Sequence, residues 1–321
     1  MSGWRSSDAN SAALIRSEVW SRELKEILED ELGATRYVRW LTEFPDGDTF
    51  TIPSIGQATV RDYTEDSAVV YDKMDTGEFQ FQITEYLSSA TYITKKMRQD
   101  AFYASELESS FVPKQRRAIM EHVETKVFGL QGDQTAADAN SINNADHRFI
   151  AGNEIVANTT YSITVADFAK ALYALKKANV PQVDLVAIVD PSVEYTINTL
   201  TNLVNVSNNP MWEGIVSSGI ATGMRFLKNI YGFDVYTSNY LTQGFTEAIG
   251  GVTCTNSVAN LFFSAASDVV PFIGAWRQQI DVDGEYNKDF QREEYISTGR
   301  YGVKLYRPEN LVVVLSSTNV V

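Results

Sequence analysis

The stretch LVAIVDPSVEYTINTL, residues 185–200, decides the fold class. Its first five residues are a continuous apolar run of strand length. Asp190 and Pro191 then place a cap residue and a first-turn proline at the head of a helix. A buried strand that runs straight into a helix is a building block of α/β architecture. Upstream, Thr164 and Asp167 fit a capping box with Asp in place of the usual Glu. Phe168, Leu172 and Leu175 continue as a helical stripe that ends at Asn179 and Pro181. Downstream, 202–209 reads as a polar loop. GFDVY, 232–236, is a second strand candidate, leading into Ser238-Asn239-Tyr240-Leu241. Residues 164–263 therefore read as one α/β unit.

The flanks have a different character. Residues 264–321 are strand-rich: Ile280, Val282 and Tyr286 sit among acids, and YGVKLY (301–306) passes through Arg307-Pro308 into the buried-strand run LVVVL (311–315). Residues 91–130 read as a helix broken once, at Pro113, which lacks a backbone donor and biases Val112 away from helix. Past that break Ile119, Val123, Val127 and Leu130 share one face, and Arg117 with Glu121 forms an i,i+4 pair on another. The polar stretch 131–161 reads as a surface loop with one short strand.

Two further segments call for partners. Residues 12–32 form an amphipathic helix pattern: Val19, Trp20, Leu24, Ile27, Leu28 and Leu32 recur at three- and four-residue spacing, and Gly33 supplies the stop. That stripe packs either on its own chain or on a neighbouring subunit. Residues 45–87 read as a long β-hairpin. Phe50 and Ile52, then Val69 and Tyr71, then Phe79, Phe81 and Ile83 alternate with polar residues, between turn signals at PDGD (45–48) and DTG (75–77). The hairpin is expected to have little to bury on either face, and a bare two-stranded ribbon is marginal in water.

Composition narrows the function classes. The 321 residues suggest about two domains. With 41 acidic against 27 basic residues the net charge is −14, which argues against a dedicated nucleic-acid reader. No apolar run approaches the roughly 18 residues of a membrane helix. Cys254 is the only cysteine, so no intrachain disulfide forms, and it reads as a structural thiol in a reducing compartment. Histidine is confined to His122 and His147, which removes most imidazole-based constellations. No phosphate-binding loop, dinucleotide fingerprint, HExxH or G-x-S-x-G appears. Glu121, His122 and Glu124 read as a solvated helix face rather than a convergent triad. Asp281, Asp283, Gly284 and Glu285 fail the calcium-loop pattern, because the glycine comes two positions early, and offer at most a weak surface cation site. Nothing here supports an enzyme, and no cofactor is expected.

The order of segments is arm helix, long hairpin, broken long helix, inserted α/β unit and terminal strands. It resembles the major capsid protein of tailed bacteriophages, the Hong Kong 97-type capsid fold family. ITEYLSSATYITKKMRQDAF (83–102) looks like the passage from the extended hairpin into the family's spine helix, and IMEHVETKVFGLQGD (119–133) like that helix's end. AIVDPSVEYTINTL (187–200) and GFDVYTSNYL (232–241) are similar to the core and the returning strand of its axial domain. RYGVKLYRPENLVVV (300–314) resembles the closing strands of its peripheral domain.

The resemblance implies an α+β fold in five segments. These are an N-terminal arm (1–44), an extended loop (45–87), a peripheral domain in two parts (88–163 with the spine helix, and 264–321) and an axial α/β domain (164–263). It implies a structural role: copies of the chain form hexamers and pentamers of an icosahedral virion shell around double-stranded DNA, assembled in the host cytoplasm. The loop tip, Arg61, Asp62, Glu65 and Asp66, would contact a neighbour, and Trp20, Leu24 and Leu28 would carry the arm's contacts. The extended loop begins within about 50 residues of Met1, so scaffolding is expected from a separate protein rather than from a cleaved leader. A portal and a decoration protein would be further partners. Some relatives join a loop lysine to a neighbour's asparagine. Here Lys73 with Asn310 or Asn319 is the available pairing, and no such bond is expected. An encapsulin-like shell around a protein cargo is the alternative, and a metal-assisted hydrolase a third reading from another class.

Overall fold

A computed structural model describes residues 32–42, 49–56, 58, 60–62, 65–66, 68, 71, 76–100, 104–132, 146–152, 161–199 and 226–317. The chain runs through β1 (Val38–Leu41), β2 (Thr49–Ile55), β3 (Thr76–Gln82), β4 (Glu85–Thr94), α1 (Lys95–Asp100), α2 (Ala104–Gly129) and β5 (Arg148–Ile150). It continues with α3 (Val165–Lys177), β6 (Leu185–Val189), α4 (Pro191–Thr199), β7 (Phe226–Ile230), β8 (Phe233–Thr237), β9 (Gln243–Ile249) and β10 (Val252–Ser264). It ends with β11 (Phe272–Asn287), β12 (Arg292–Leu305) and β13 (Leu311–Ser317).

The apolar run 185–189 is strand β6, buried at every position, because helices cover both faces of its sheet. That sheet has the order β5-β13-β10-β6-β8-β7, with β9 also paired to β10. Successive strand residues point to opposite faces. Ile188, Leu261, Phe263, Leu311, Val313 and Leu315 pack with Val123, Val127 and Phe128 of α2. Their neighbours Ala187, Val189, Phe262, Val312 and Val314 pack with Phe168 and Leu175 of α3 and Val193 and Ile197 of α4. A fully buried large apolar side chain contributes about 1.5–3 kcal/mol, so these two layers hold much of the fold's stability. LVVVL (311–315) lies in β13 beside β10, so the closing strand and the α/β unit share one sheet.

Local signals place the helices of this layer. Asp190 caps α4: its carboxylate accepts the Ser192 N–H at 2.9 Å and the Ser192 hydroxyl at 2.5 Å. Asp167 closes the start of α3, accepting the Thr164 N–H at 2.7 Å and the Thr164 hydroxyl at 2.8 Å. Both its oxygens also accept the Gly152 N–H, each at 3.1 Å. The same side chain thus ties the end of β5 to α3.

A second sheet, in the order β1-β11-β12-β4, carries α2 on one face. Gln115 fixes that contact: its Nε2 donates to the Tyr295 carbonyl at 3.1 Å, and its Oε1 accepts from the Ser297 hydroxyl at 2.8 Å. The other face of the sheet is exposed at Tyr86, Tyr92 and Ile296.

Three expectations need correction. Residues 91–94 are the end of strand β4, not helix, and their β-branched and aromatic composition suits that pleat. Pro113 sits inside a continuous α2, so the expected break is not there. One missing N–H is tolerated there because α2 is held against the sheet on either side of it, by Phe111 on Tyr295 and by Gln115. Within 131–161, β5 is buried at all three positions rather than lying on the surface, since it pairs in parallel with β13.

Candidate assembly surfaces

The hairpin predicted over 45–87 forms as β2 and β3, paired antiparallel with Phe50 opposite Phe81 and Ile52 opposite Phe79. The expectation that it buries little fails at its base. Phe81 and Ile83 are fully buried against Ile273 and Ala275, with Phe50, Ile52, Phe79, Leu41 and Tyr306 packed around them. Phe79 meets Tyr306 edge to face at 5.0 Å, and the Lys304 ammonium donates to the Gln80 carbonyl at 3.0 Å. Gly302 makes the approach feasible: a Cβ there would lie 2.9 Å from the Gln82 carbonyl oxygen and 3.0 Å from the Ile83 Cα. Period-two spacing in 79–83 marked the buried side chains, but nothing local showed which surface would cover them.

Beyond that anchor the hairpin is open. Thr51, Pro53, Glu78 and Gln80 are exposed, as are Val60 and Tyr71. Arg61, Asp62, Glu65 and Asp66 are each exposed, with a turn at Glu65 and Asp66, where Asp66 is left-handed (φ 66°). Val69 falls outside the described residues, and Tyr71 is in no regular strand.

The expected arm helix, with Trp20, Leu24 and Leu28, lies outside the described residues; the described chain starts at Leu32. There the sequence reading of Glu121, His122 and Glu124 as a solvated face holds at His122, which is exposed, and fails at Glu124. Glu124 is fully buried, and its Oε1 accepts the N–H groups of Gly33 (3.0 Å) and Ala34 (2.9 Å), while Oε2 accepts that of Ala34 at 2.8 Å. It serves as the cap for the short 3₁₀ turn Ala34–Tyr37 from a helix about ninety residues away in sequence. Glu121 pairs with Arg117 at 3.0 Å and accepts from the Tyr240 hydroxyl at 3.1 Å, and His122 Nδ1 lies 2.9 Å from the Tyr301 hydroxyl. The three side chains therefore diverge, as consecutive helix positions require. A continuous 119–130 stripe could have exposed Glu124, because that position lies beside Val123 and Val127 rather than opposite them.

Next to this turn Trp40 stacks on Trp276, ring centres 5.6 Å apart, in a position that Gly274 keeps open. They floor a shallow groove of about 580 Å³ that includes Leu32.

Asp281, Asp283 and Glu285 lie at alternate positions of β11 and do not close into a loop, and among the described residues no group of three or more His, Cys, Asp and Glu could hold a metal. Cys254 is buried, and burial followed by the nearby Glu247 pushes its thiol pKa up, away from reactivity. Asn310 is buried: its amide donates to the Ser264 carbonyl at 2.9 Å and the Val269 carbonyl at 2.5 Å, and its oxygen accepts the Ser264 N–H at 2.9 Å. Lys73 and Asn319 lie outside the described residues.

These are features of a protein whose work lies on its surfaces: a hairpin that, among the described residues, is anchored at its base and exposed beyond it, an uncovered sheet face and an open apolar groove. The chain belongs to the phage capsid protein family, which matches residues 77–314. Its fold is shared with solved capsids. The capsid structure of cyanophage P-SCSP1u matches with a TM-score of 0.70 at 15% identity, over 96% of this chain and 94% of that one. The Cyanophage Pam1 capsid matches at 0.67 and 14%, over 97% and 99%, and a chain of Mycobacterium phage Che8 at 0.66 and 17%, over 93% and 96%. No curated protein matches the sequence. The phage capsid protein expected from the order of segments is thus borne out, and with it a structural role in the virion.

Proposed function

We propose that this chain is the major capsid protein of a tailed phage, built on the Hong Kong 97-type plan, and that its hexamers and pentamers close an icosahedral shell around double-stranded DNA. The observation that carries this reading is the extent of the likeness: more than nine-tenths of both chains align with capsid subunits. In this reading 1–44 is the arm, 45–87 the extended loop, 88–163 with 264–321 the peripheral domain and 164–263 the axial domain, whose sheet also takes in β5 and β13 from the two flanking segments. The loop tip at Arg61, Asp62, Glu65 and Asp66 touches a neighbouring subunit. The net charge of −14 suits a container that encloses phosphate without gripping it. Assembly takes place in the host cytoplasm with a separate scaffolding protein and a portal, and no covalent cross-link joins the subunits. The hydrogen bonds that already occupy the Asn310 amide favour that last point.

Electron microscopy of the purified, assembled protein tests the reading. Closed icosahedral particles, filled with DNA when taken from infected cells, are expected. Particles filled with a protein cargo would assign the chain to an encapsulin-like compartment, and the absence of particles under all assembly conditions would overturn the proposal. A ladder of covalent oligomers on denaturing gels would overturn the claim that the shell is not cross-linked.

A further inference from the structure

The lining of the groove beside Trp40 is apolar at Trp40, Trp276, Met120 and Ile280 and basic at Arg116 and Arg117. Leu32, the first described residue, lines one end of it. Glu124 holds the next two residues, Gly33 and Ala34, by their N–H groups, so the chain enters from a fixed point at the groove's edge. Thirty-one residues precede that point, and 12–32 carries an apolar stripe at helical spacing.

We infer that this groove is the seat of the chain's own N-terminal stripe, with Leu28 and Leu24 packed over Met120, Ile280 and the two tryptophans. On a helix ending at Leu32, Leu28 and Leu24 fall on the face of Leu32, about 6 Å and about 12 Å back along the axis at 1.5 Å per residue. Glu29 and Glu31 fall on either side of that face, and Arg116 and Arg117 of the groove lining complement them, being opposite in charge. Arg117 already pairs with Glu121, so the acids extend a charge network that is present. The short connection decides between this chain and a second copy. Residues four to eight positions from an anchored leucine see the groove at the millimolar effective concentrations of a short tether, which a stripe from another subunit must exceed. The inference concerns the single subunit and stands whether or not the shell reading does.

Paired cysteines in the full-length, unassembled chain test it, in a Cys254→Ala background. Leu28→Cys/Met120→Cys and Leu28→Cys/Ile280→Cys, mildly oxidised, should each lose both free thiols to mass labelling while remaining monomeric on a non-reducing gel. An equimolar mixture of the matching single variants should give no covalent dimer. Dimers in the mixture would assign the groove to a second copy and overturn the inference. So would two free thiols at both pairs in chains that still melt cooperatively. Hydrogen exchange on the unmodified chain gives an independent reading: amides of 24–31 should exchange more slowly than those of 1–11, and Met120→Asp should abolish the difference. Equal exchange in the unmodified chain would sink the idea even if the cysteine variants fail to fold.

Discussion

Glu124 and Ala34 are joined through both carboxylate oxygens, at 2.9 Å and 2.8 Å from one backbone N–H, in a site with no exposure to water. The pairing fixes where the N-terminal chain meets the long helix α2, and with it the entry to the groove. Glu124→Ala leaves the Gly33 and Ala34 donors buried without this acceptor. Hydrogen bonds to a charged partner contribute about 1.5–3 kcal/mol, so we expect a loss of about 2–3 kcal/mol in chemical unfolding. Glu124→Gln keeps an acceptor oxygen and should lose less. An alanine variant within about 0.5 kcal/mol of the parent would show that the turn is held by packing alone.

Arg148 links three elements at the edge of the larger sheet. Its guanidinium engages Glu247 of β9 through two bonds, 2.6 Å and 2.5 Å, and donates to the Gln131 carbonyl at 3.1 Å and the Gln131 side chain at 2.9 Å. Removing one partner of such a pair strands the other, and Glu247 is three-quarters shielded from solvent. Arg148→Met should therefore destabilise by about 3 kcal/mol, and adding Glu247→Leu should recover part of that. Equal stability of the single and double variants would mean that Glu247 finds water once released.

Asp167 predicts a pH dependence. Burial pushes its carboxyl above the ordinary 3.8, against the hydrogen bonds from Thr164 and Gly152. An acid whose folded pKa is raised binds its proton more tightly in the native state. Its contribution is complete below pH 3.8 and declines as pH rises through the raised value. Asp167→Asn cannot ionise, so the parent should lose stability relative to the variant as pH rises from 3.8 through the acid range. Parallel stability curves for the two proteins would refute the direction of the shift.

Much of this fold was legible locally. LVAIV and LVVVL announced buried strands because helices cover both faces of their sheet, and the Thr164 and Asp190 caps sit at helix starts that the sequence marked. What was not legible depends on distant chain. Pro113 argued for a break that tertiary contacts override. Glu124 sits between charged and apolar neighbours on a helix whose covering turn lies about ninety residues earlier. The buried base of the hairpin needs β11 and β12, which follow it by about two hundred residues, so a period-two pattern alone could not tell a bare ribbon from an anchored one.

Gly302 sets how closely that hairpin approaches the sheet. A methyl group there would press on the Gln82 carbonyl oxygen at 2.9 Å and the Ile83 Cα at 3.0 Å, both backbone atoms that cannot swing aside. Overpacking of this kind costs about 1–3 kcal/mol. Gly302→Ala should lower the melting temperature and tilt the hairpin, so that assembly, followed by sedimentation, suffers more than folding does. A variant that assembles normally would show that the hairpin's angle is not set at this contact.

The hairpin itself divides into an anchor and a projection, and they should fail separately. Phe50, Ile52, Phe79, Phe81 and Ile83 surround the cluster with Ile273 and Ala275, so removing them strips apolar contacts from the subunit. The segment 54–77 contributes none of those residues, and its described loop positions are exposed. A two-stranded ribbon without a core stays ordered only against another surface, and each exposed charge pair at its tip contributes only about 0–1 kcal/mol. Repeated around a closed ring, such small contacts still decide assembly, because every subunit offers the same one. Replacing 54–77 by a short Gly-Ser turn should therefore leave cooperative thermal unfolding within a few degrees of the parent while shells disappear from sedimentation profiles. Extending the replacement to 50–81 should in addition lower the unfolding temperature, because the anchor goes with it. Shells of normal size from the shorter replacement would place the assembly contacts elsewhere on the subunit, and loss of cooperative unfolding in that variant would make the projection part of the core.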